Sequence, residues 1–173
     1  LKVPIKKGKS KGKVVLLPKL KTLAARKFWY SLNLEDPPAI FLGRFADERM
    51  KFYENNGSFV ARDNFAFFTP PNPQHIHAFL AFFSCSWFAL YMERNGDTAG
   101  GGALQFLIVD YAKSLVPDFG KLSKENIKKM NKAWIDYREN LNHEELDNIV
   151  LKVLGFSEEE QVKIRKELKI KIE

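Results

Sequence analysis

Between Gln74 and Arg94 the chain reads "QHIHAFLAFFSCSWFALYMER", and from Ile76 to Met92 no residue carries a fixed charge. A run this apolar has to be surrounded, either by lipid or by the rest of the protein. It is interrupted by His77, Ser84 and Ser86 and is barely long enough to span a bilayer. The expectation is therefore a buried core helix over Gln74–Arg94, with no membrane partner. At 173 residues, 15 of them phenylalanine, the chain can enclose such a helix in an aromatic core. The single cysteine, Cys85, excludes an intrachain disulfide and a cysteine-based zinc site, and it points to a reducing, cytoplasmic setting.

Short β segments precede this helix. "VVLLP" predicts a short buried strand ended by Pro18, and "DPPAIFLGRF" an extended Pro-Pro lead into a strand over Ala39–Phe45. Leu23–Asn33 reads as a short helix or a turn carrying Trp29 and Tyr30 inward. "ERMKFYENNGSFVARDNFAFFTPPNP" reads as a β-hairpin with Phe59, Val60, Phe65, Phe67 and Phe68 on its strands. Its Asn56-Gly57 pair supplies the positive-φ positions of a tight turn. After the core helix come three consecutive glycines, Gly100–Gly102, and then a strand-like apolar run. Beyond residue 120 the pattern turns helical. Ser123 is an N-cap, His143–Leu154 an amphipathic helix closed by Gly155, and Ser157 with Glu158–Glu160 the start of a last helix. The fold class is α+β: a small mixed or antiparallel sheet with a buried core helix, followed by a C-terminal helical tail. The chain divides into a basic arm over 1–22, an α/β domain over 23–120 and helices over 121–173.

The net charge of +7 is concentrated at the start, where residues 1–27 hold nine lysines and Arg26 but no acid. Such an arm suits contact with a polyanion, nucleic acid above all. Lys6, Lys7, Lys9, Lys11 and Lys13 are candidates for phosphate contact, with a solvated linker as the other reading. Reading a sequence requires Arg, Lys, Asn or Gln at base edges. The hairpin region offers Arg44, Arg49, Lys51, Asn55, Arg62 and Asn64, while Asn56 is better suited to the turn. Arg44 stands beside Gly43, whose missing side chain would let a backbone come close, and Arg62 beside Asp63, an ion-pair alternative. Trp29, Tyr30 and Trp87 are read as packing residues.

Catalytic machinery is sparse. His75 and His77 are two apart, point to different faces of a helix and lack a third ligand. Cys85 lies within the apolar run, where a thiolate is disfavoured. No catalytic residue and no metal site is assigned. The triple glycine lacks the Gly-x-Gly-x-x-Gly spacing and the following lysine of a nucleotide cradle. It reads as a structural corner that lets the chain reverse closely against its neighbours, with phosphate contact by its amides left open.

Taken in order, the pieces form a series. "R-x-F-W-Y-x-L" (Arg26–Leu32) is followed by a Pro-rich strand, "ARDNFAFFTP", "FLAFFSCSWFALYMERNG" and "GGGALQFLIVDYAKSLVPDF". Over residues 24–120 this series resembles the C-terminal target-recognition (specificity) region of TaqI-class N6-adenine DNA methyltransferases. That family is found in restriction–modification systems and fused type IIG enzymes. Its helix pattern and the glycine-containing stretch after it are matched by Phe79–Ser84, Tyr91–Glu93, Gly96, Gly101–Leu104, Asp110 and Leu115-Val116-Pro117. "SLVPDF" departs in having one proline where Pro-Val-Pro is common, and "LGFSEEE" looks like the helical tail of some members.

The resemblance implies sequence-specific recognition of double-stranded DNA by a fragment that does not itself catalyse. The catalytic methyltransferase domain would lie N-terminal in the same parent chain, in keeping with a start at Leu1 rather than Met. S-adenosylmethionine would belong to that domain, and this fragment would need no cofactor. "EDPPAI" is the nearest string to the family's Asn/Asp-Pro-Pro-Tyr/Phe motif. Ala39 stands there where an aromatic ring would stack on the base, so Pro37-Pro38 is read as strand lead-in. Two other classes stay open. One is a protein-interaction or subunit-docking module using the charged helices of Lys121–Glu173, and the other a small enzyme built around His75, His77 and Asp110.

Overall fold

The structure is a computed structural model that describes residues 2–4, 13–16, 36–46, 48–61 and 64–172. It divides into two compact units, Leu1–Asp36 and Pro37–Glu173. The expectations for Lys6, Lys7, Lys9, Lys11, Arg62 and the Leu23–Asn33 segment with Trp29 and Tyr30 lie outside the described residues. In the first unit, β1 (Lys2–Pro4) and β2 (Val14–Leu16) pair antiparallel with Lys2 opposite Leu16. Val14 and Leu16 are exposed, contrary to the buried strand expected of "VVLLP". A two-stranded ribbon has no second layer of its own to cover its side chains.

The second unit is α+β. Its strands are β3 (Ile40–Gly43), β4 (Phe45–Ala46), β5 (Phe52–Glu54), β6 (Phe65–Phe68), β7 (Asp97–Thr98) and β8 (Leu104–Gln105). Its helices are α1 (Ile76–Ser84), α2 (Ser86–Asn95), α3 (Ile108–Lys113), α4 (Lys124–Asn140), α5 (His143–Val153) and α6 (Glu158–Ile172). Two antiparallel three-stranded sheets result, in the orders β5-β3-β6 and β4-β8-β7.

The expected hairpin does not form. Ile40 faces Glu54 on one side and Phe68 on the other, so β5 and β6 flank β3 and do not pair with each other. Every residue of β3 is buried, whereas its neighbours are mixed, and the most apolar strand takes the position covered on both edges. The intervening loop is closed by Asn55, whose amide oxygen accepts the Phe59 N–H at 3.0 Å. Its NH2 donates to the carbonyls of Phe59 and Pro38 at 2.9 and 2.8 Å. Positive φ falls on Ser58, not on Asn56 or Gly57, and Phe59 and Val60 lie exposed in the loop.

The expected single core helix is two helices, bent by 62° at Cys85. Cys85 is extended, and the carboxylate of Asp147 on α5 accepts the Ser86 N–H at 2.8 Å. This buried cap satisfies a donor at the start of α2, so the chain can end one helix and begin another within a single residue. Ala78 through Phe83 of α1 are all buried. On one side Phe68 stacks edge-on to Phe79 and Phe52 lies against Phe83, with ring centroids 4.8 and 5.5 Å apart. On the other α4 packs, and its Ile127, Met130, Ala133 and Trp134 join the same core cluster. The helical tail therefore shares one core with residues 37–120. Among the described residues no single helix is long and apolar enough to cross a membrane.

The tail's end signals form as expected. Ser123 Oγ accepts the Asn126 N–H at 3.1 Å, Ser157 and Glu160 cap each other reciprocally, and Gly155 has φ +89° after α5. The triple glycine is a single 3-10 turn, in which Gly102, at φ +88°, needs glycine's freedom. A Cβ on Gly100 or Gly102 would meet nothing within 4 Å, so neither of these two makes the expected close approach. It occurs at Gly96, where a Cβ would lie 2.6 Å from Leu104 Cδ1. The apolar run that follows is only briefly a strand, and Ile108–Lys113 is helix α3, capped by Asp110 accepting the Leu107 N–H at 2.7 Å.

Candidate functional site

Four of the six candidate base-reading residues line one recess of ≈ 740 Å³. Arg44 follows β3, Arg49 and Lys51 precede β5, and Asn64 precedes β6, so three segments converge on it. Phe45 and Tyr53, each 46% exposed, line it beside them, and the Arg44 guanidinium carbon lies 5.8 Å from the Phe45 ring centre. The backbone under Arg44 is held from several sides. The Gly43 N–H donates to the Lys51 carbonyl at 3.0 Å, the Phe106 N–H to the Arg44 carbonyl at 3.0 Å, and the Tyr111 hydroxyl to the Gly43 carbonyl. A Cβ on Gly43 would lie 2.7 Å from the Lys51 oxygen. The missing side chain thus admits the protein's own backbone, not that of an external partner.

The candidates differ in what their side chains already do. Lys51 and Asn64 are exposed. Asn55 spends its amide closing the loop and does not line the recess. Arg49 points inward, its guanidinium donating to His143 Nδ1 at 3.1 Å and to Ser86 Oγ at 3.2 Å. Guanidinium has no acceptor, so Nδ1 accepts, the imidazole proton sits on Nε2, and Nε2 donates to the Tyr137 hydroxyl 3.1 Å away. Burial, with the adjacent Arg49 charge, pushes the His143 pKa down to about 4, so the ring is neutral at physiological pH. Burial pushes the Asp147 carboxyl upward, and burial together with Asp147 pushes the Cys85 thiol up to about 12. Cys85 is an inert packing residue under these conditions.

A second recess of ≈ 520 Å³ adjoins the first, the two sharing Glu48, Arg49, Lys51, Tyr53 and His143. Its walls are mostly apolar and come from β5, α1, α2 and α4. Elsewhere, His77 Nε2 lies 2.9 Å from Glu54, which also accepts from Arg138 at 3.3 Å, and His75 Nε2 lies 3.2 Å from the Asn72 amide. Among the described residues no group of three His, Cys, Asp or Glu side chains is placed to hold a metal ion. Lys13 is exposed on the first unit.

Sequence reasoning passed over the set that organises this region: Ser86, Tyr137, His143 and Asp147. One signal was available. Asp147 sits four residues before Leu151 and directly after Leu146, on the apolar face of its helix, where a charge has to be paired. No protein-family model matches the chain, and neither does any curated protein or any solved structure.

Proposed function

We propose that the chain is a sequence-specific double-stranded DNA recognition module, the specificity fragment of an adenine-N6 DNA methyltransferase or fused restriction–modification enzyme. The observation that carries the reading is the convergence of Arg44, Lys51 and Asn64 beside the exposed rings of Phe45 and Tyr53. Guanidinium, ammonium and carboxamide donors next to stacking surfaces are the groups that base edges and faces take up. The ordered motifs over residues 24–120 and the acid-free basic start add to it. In this reading the fragment works in the cytoplasm and is not itself an enzyme. Methyl transfer and S-adenosylmethionine belong to a catalytic domain N-terminal in the parent. The Asp36-Pro37-Pro38-Ala39 string does not suit a target adenine: Pro38 is buried, its carbonyl is held by Asn55, and Ala39 offers no ring to stack on a base.

A randomised-duplex selection followed by salt-titrated binding tests the proposal. The expected result is affinity that falls steeply with salt together with a preference for one duplex sequence. Arg44→Ala, Lys51→Ala and Asn64→Ala should each relax that preference by about 1–3 kcal/mol at one position. Lys13→Ala should instead weaken all sequences alike. No binding at low salt would turn the reading to the docking alternative, which uses the charged helices of Lys121–Glu173.

A further inference from the structure

We propose that Lys124, Lys128 and Lys132, exposed on the first half of α4, form a contact for the phosphate backbone of double-stranded DNA. Four residues apart, they stand in one row along the helix, with a rise of about 6 Å from each to the next. The face carrying Ile127, Met130, Ala133 and Trp134 is buried, and none of the three lysines lines either recess. Two neighbouring lysines have acids: Lys121 lies 3.2 Å from Asp118, and Lys129 lies 2.7 Å from Glu125. Among the described residues the row itself has no ion-pair partner. Its placement works against the helix. Like charges four residues apart repel, and a cation is disfavoured in the first turn, where Lys124 stands. The acids Asp136 and Glu139 come instead toward the end that favours cations. Helix α6 has the stabilising order, with Glu158–Glu160 in its first turn and Lys163 four residues from both Glu159 and Glu167. A row of charge kept at the expense of local stability fits a partner that neutralises it. Duplex phosphates are a regular line of negative charge that can meet all three lysines together. Such a contact carries no sequence information. The inference rests on DNA as the partner, but not on any preference among sequences.

The test titrates salt against binding of the full chain to the duplex chosen by selection and to a scrambled duplex. The variant Lys124→Gln/Lys128→Gln/Lys132→Gln should lower the slope of log affinity against log salt by about 3, one for each lost phosphate contact. The loss should be equal on both duplexes, so that the preference between them does not move. Lys121→Gln/Lys163→Gln/Lys166→Gln removes the same charge from other exposed positions and should leave the slope close to the natural one. Arg at the three row positions should keep the slope as well. In urea the row variant should be at least as stable as the natural chain, because it removes like-charge repulsion. An equal loss of slope in the control, a less stable row variant, or a loss confined to binding of phosphatidylserine vesicles would each overturn the inference. An unchanged slope with the preference intact overturns the inference and leaves sequence recognition standing. A lowered slope with no preference between the duplexes supports the inference and overturns sequence recognition. No binding to either duplex overturns both.

Discussion

Asn55 and Asn64 are alike in type and lie in one segment, but their side chains have opposite employment. Asn55 makes three hydrogen bonds that close the loop between β5 and β6, and Asn64 is exposed at the recess. Asn55→Ala should cost about 1–3 kcal/mol in urea unfolding because it strands backbone partners. Asn64→Ala should stay within about 0.5 kcal/mol of the natural chain and act only on binding. His143 gives a pH signature. Its pKa is 6.5 in the ordinary state and about 4 when folded, so between these values the unfolded chain binds a proton that the native one refuses. Stability contributed by the neutral ring is complete above pH 6.5 and is lost as pH falls to about 4. Asp147 opposes this, since a raised carboxyl takes its proton first in the folded state and so gains stability on acidification. The difference between natural chain and His143→Gln in unfolding free energy isolates the histidine. It should slope through that window, and a flat difference would show that the ring is not held neutral.

At the scale of elements, the break between α1 and α2 depends on a side chain 61 residues away. Asp147→Ala leaves the Ser86 N–H buried without an acceptor, at a cost of about 1–3 kcal/mol, with faster amide exchange confined to the first turn of α2. Asp147→Asn keeps a carbonyl acceptor and should lose less. Equal stability for Asp147→Ala and the natural chain would remove the cap as the cause of the break. Elements whose signals are local were legible in the chain's order. Ser123, Gly155 and the Ser157–Glu160 pair act within one turn of their own helices, so spacing alone located them. The strand order was not legible, because Asn56-Gly57 is a turn pair whose effect depends on whether its flanking strands prefer each other. Both paired instead with β3.

At the scale of the whole molecule, α1 is enclosed by the sheet on one side and α4 on the other, and the same cluster runs on to Leu151 and Leu168. A chain ended at Gly120 should therefore lack a cooperative unfolding transition and expose apolar surface. A fragment 1–120 with a well-dispersed, native-like spectrum would refute the single core. The candidate site is a product of the same packing. Sequence alone named Arg44, Lys51 and Asn64 as donors of the right kind, yet it could not show that they meet in one recess, or that Arg49 turns inward to His143 and Ser86. By itself the order of residues determined the α+β class, the apolar segment that had to be buried and the ends of the tail helices. Tertiary structure alone decided which strands flank β3, where the core helix breaks and which polar side chains remain available. Capping and periodicity act between near neighbours in the chain, whereas strand pairing and buried hydrogen bonds depend on partners that only the folded chain brings together.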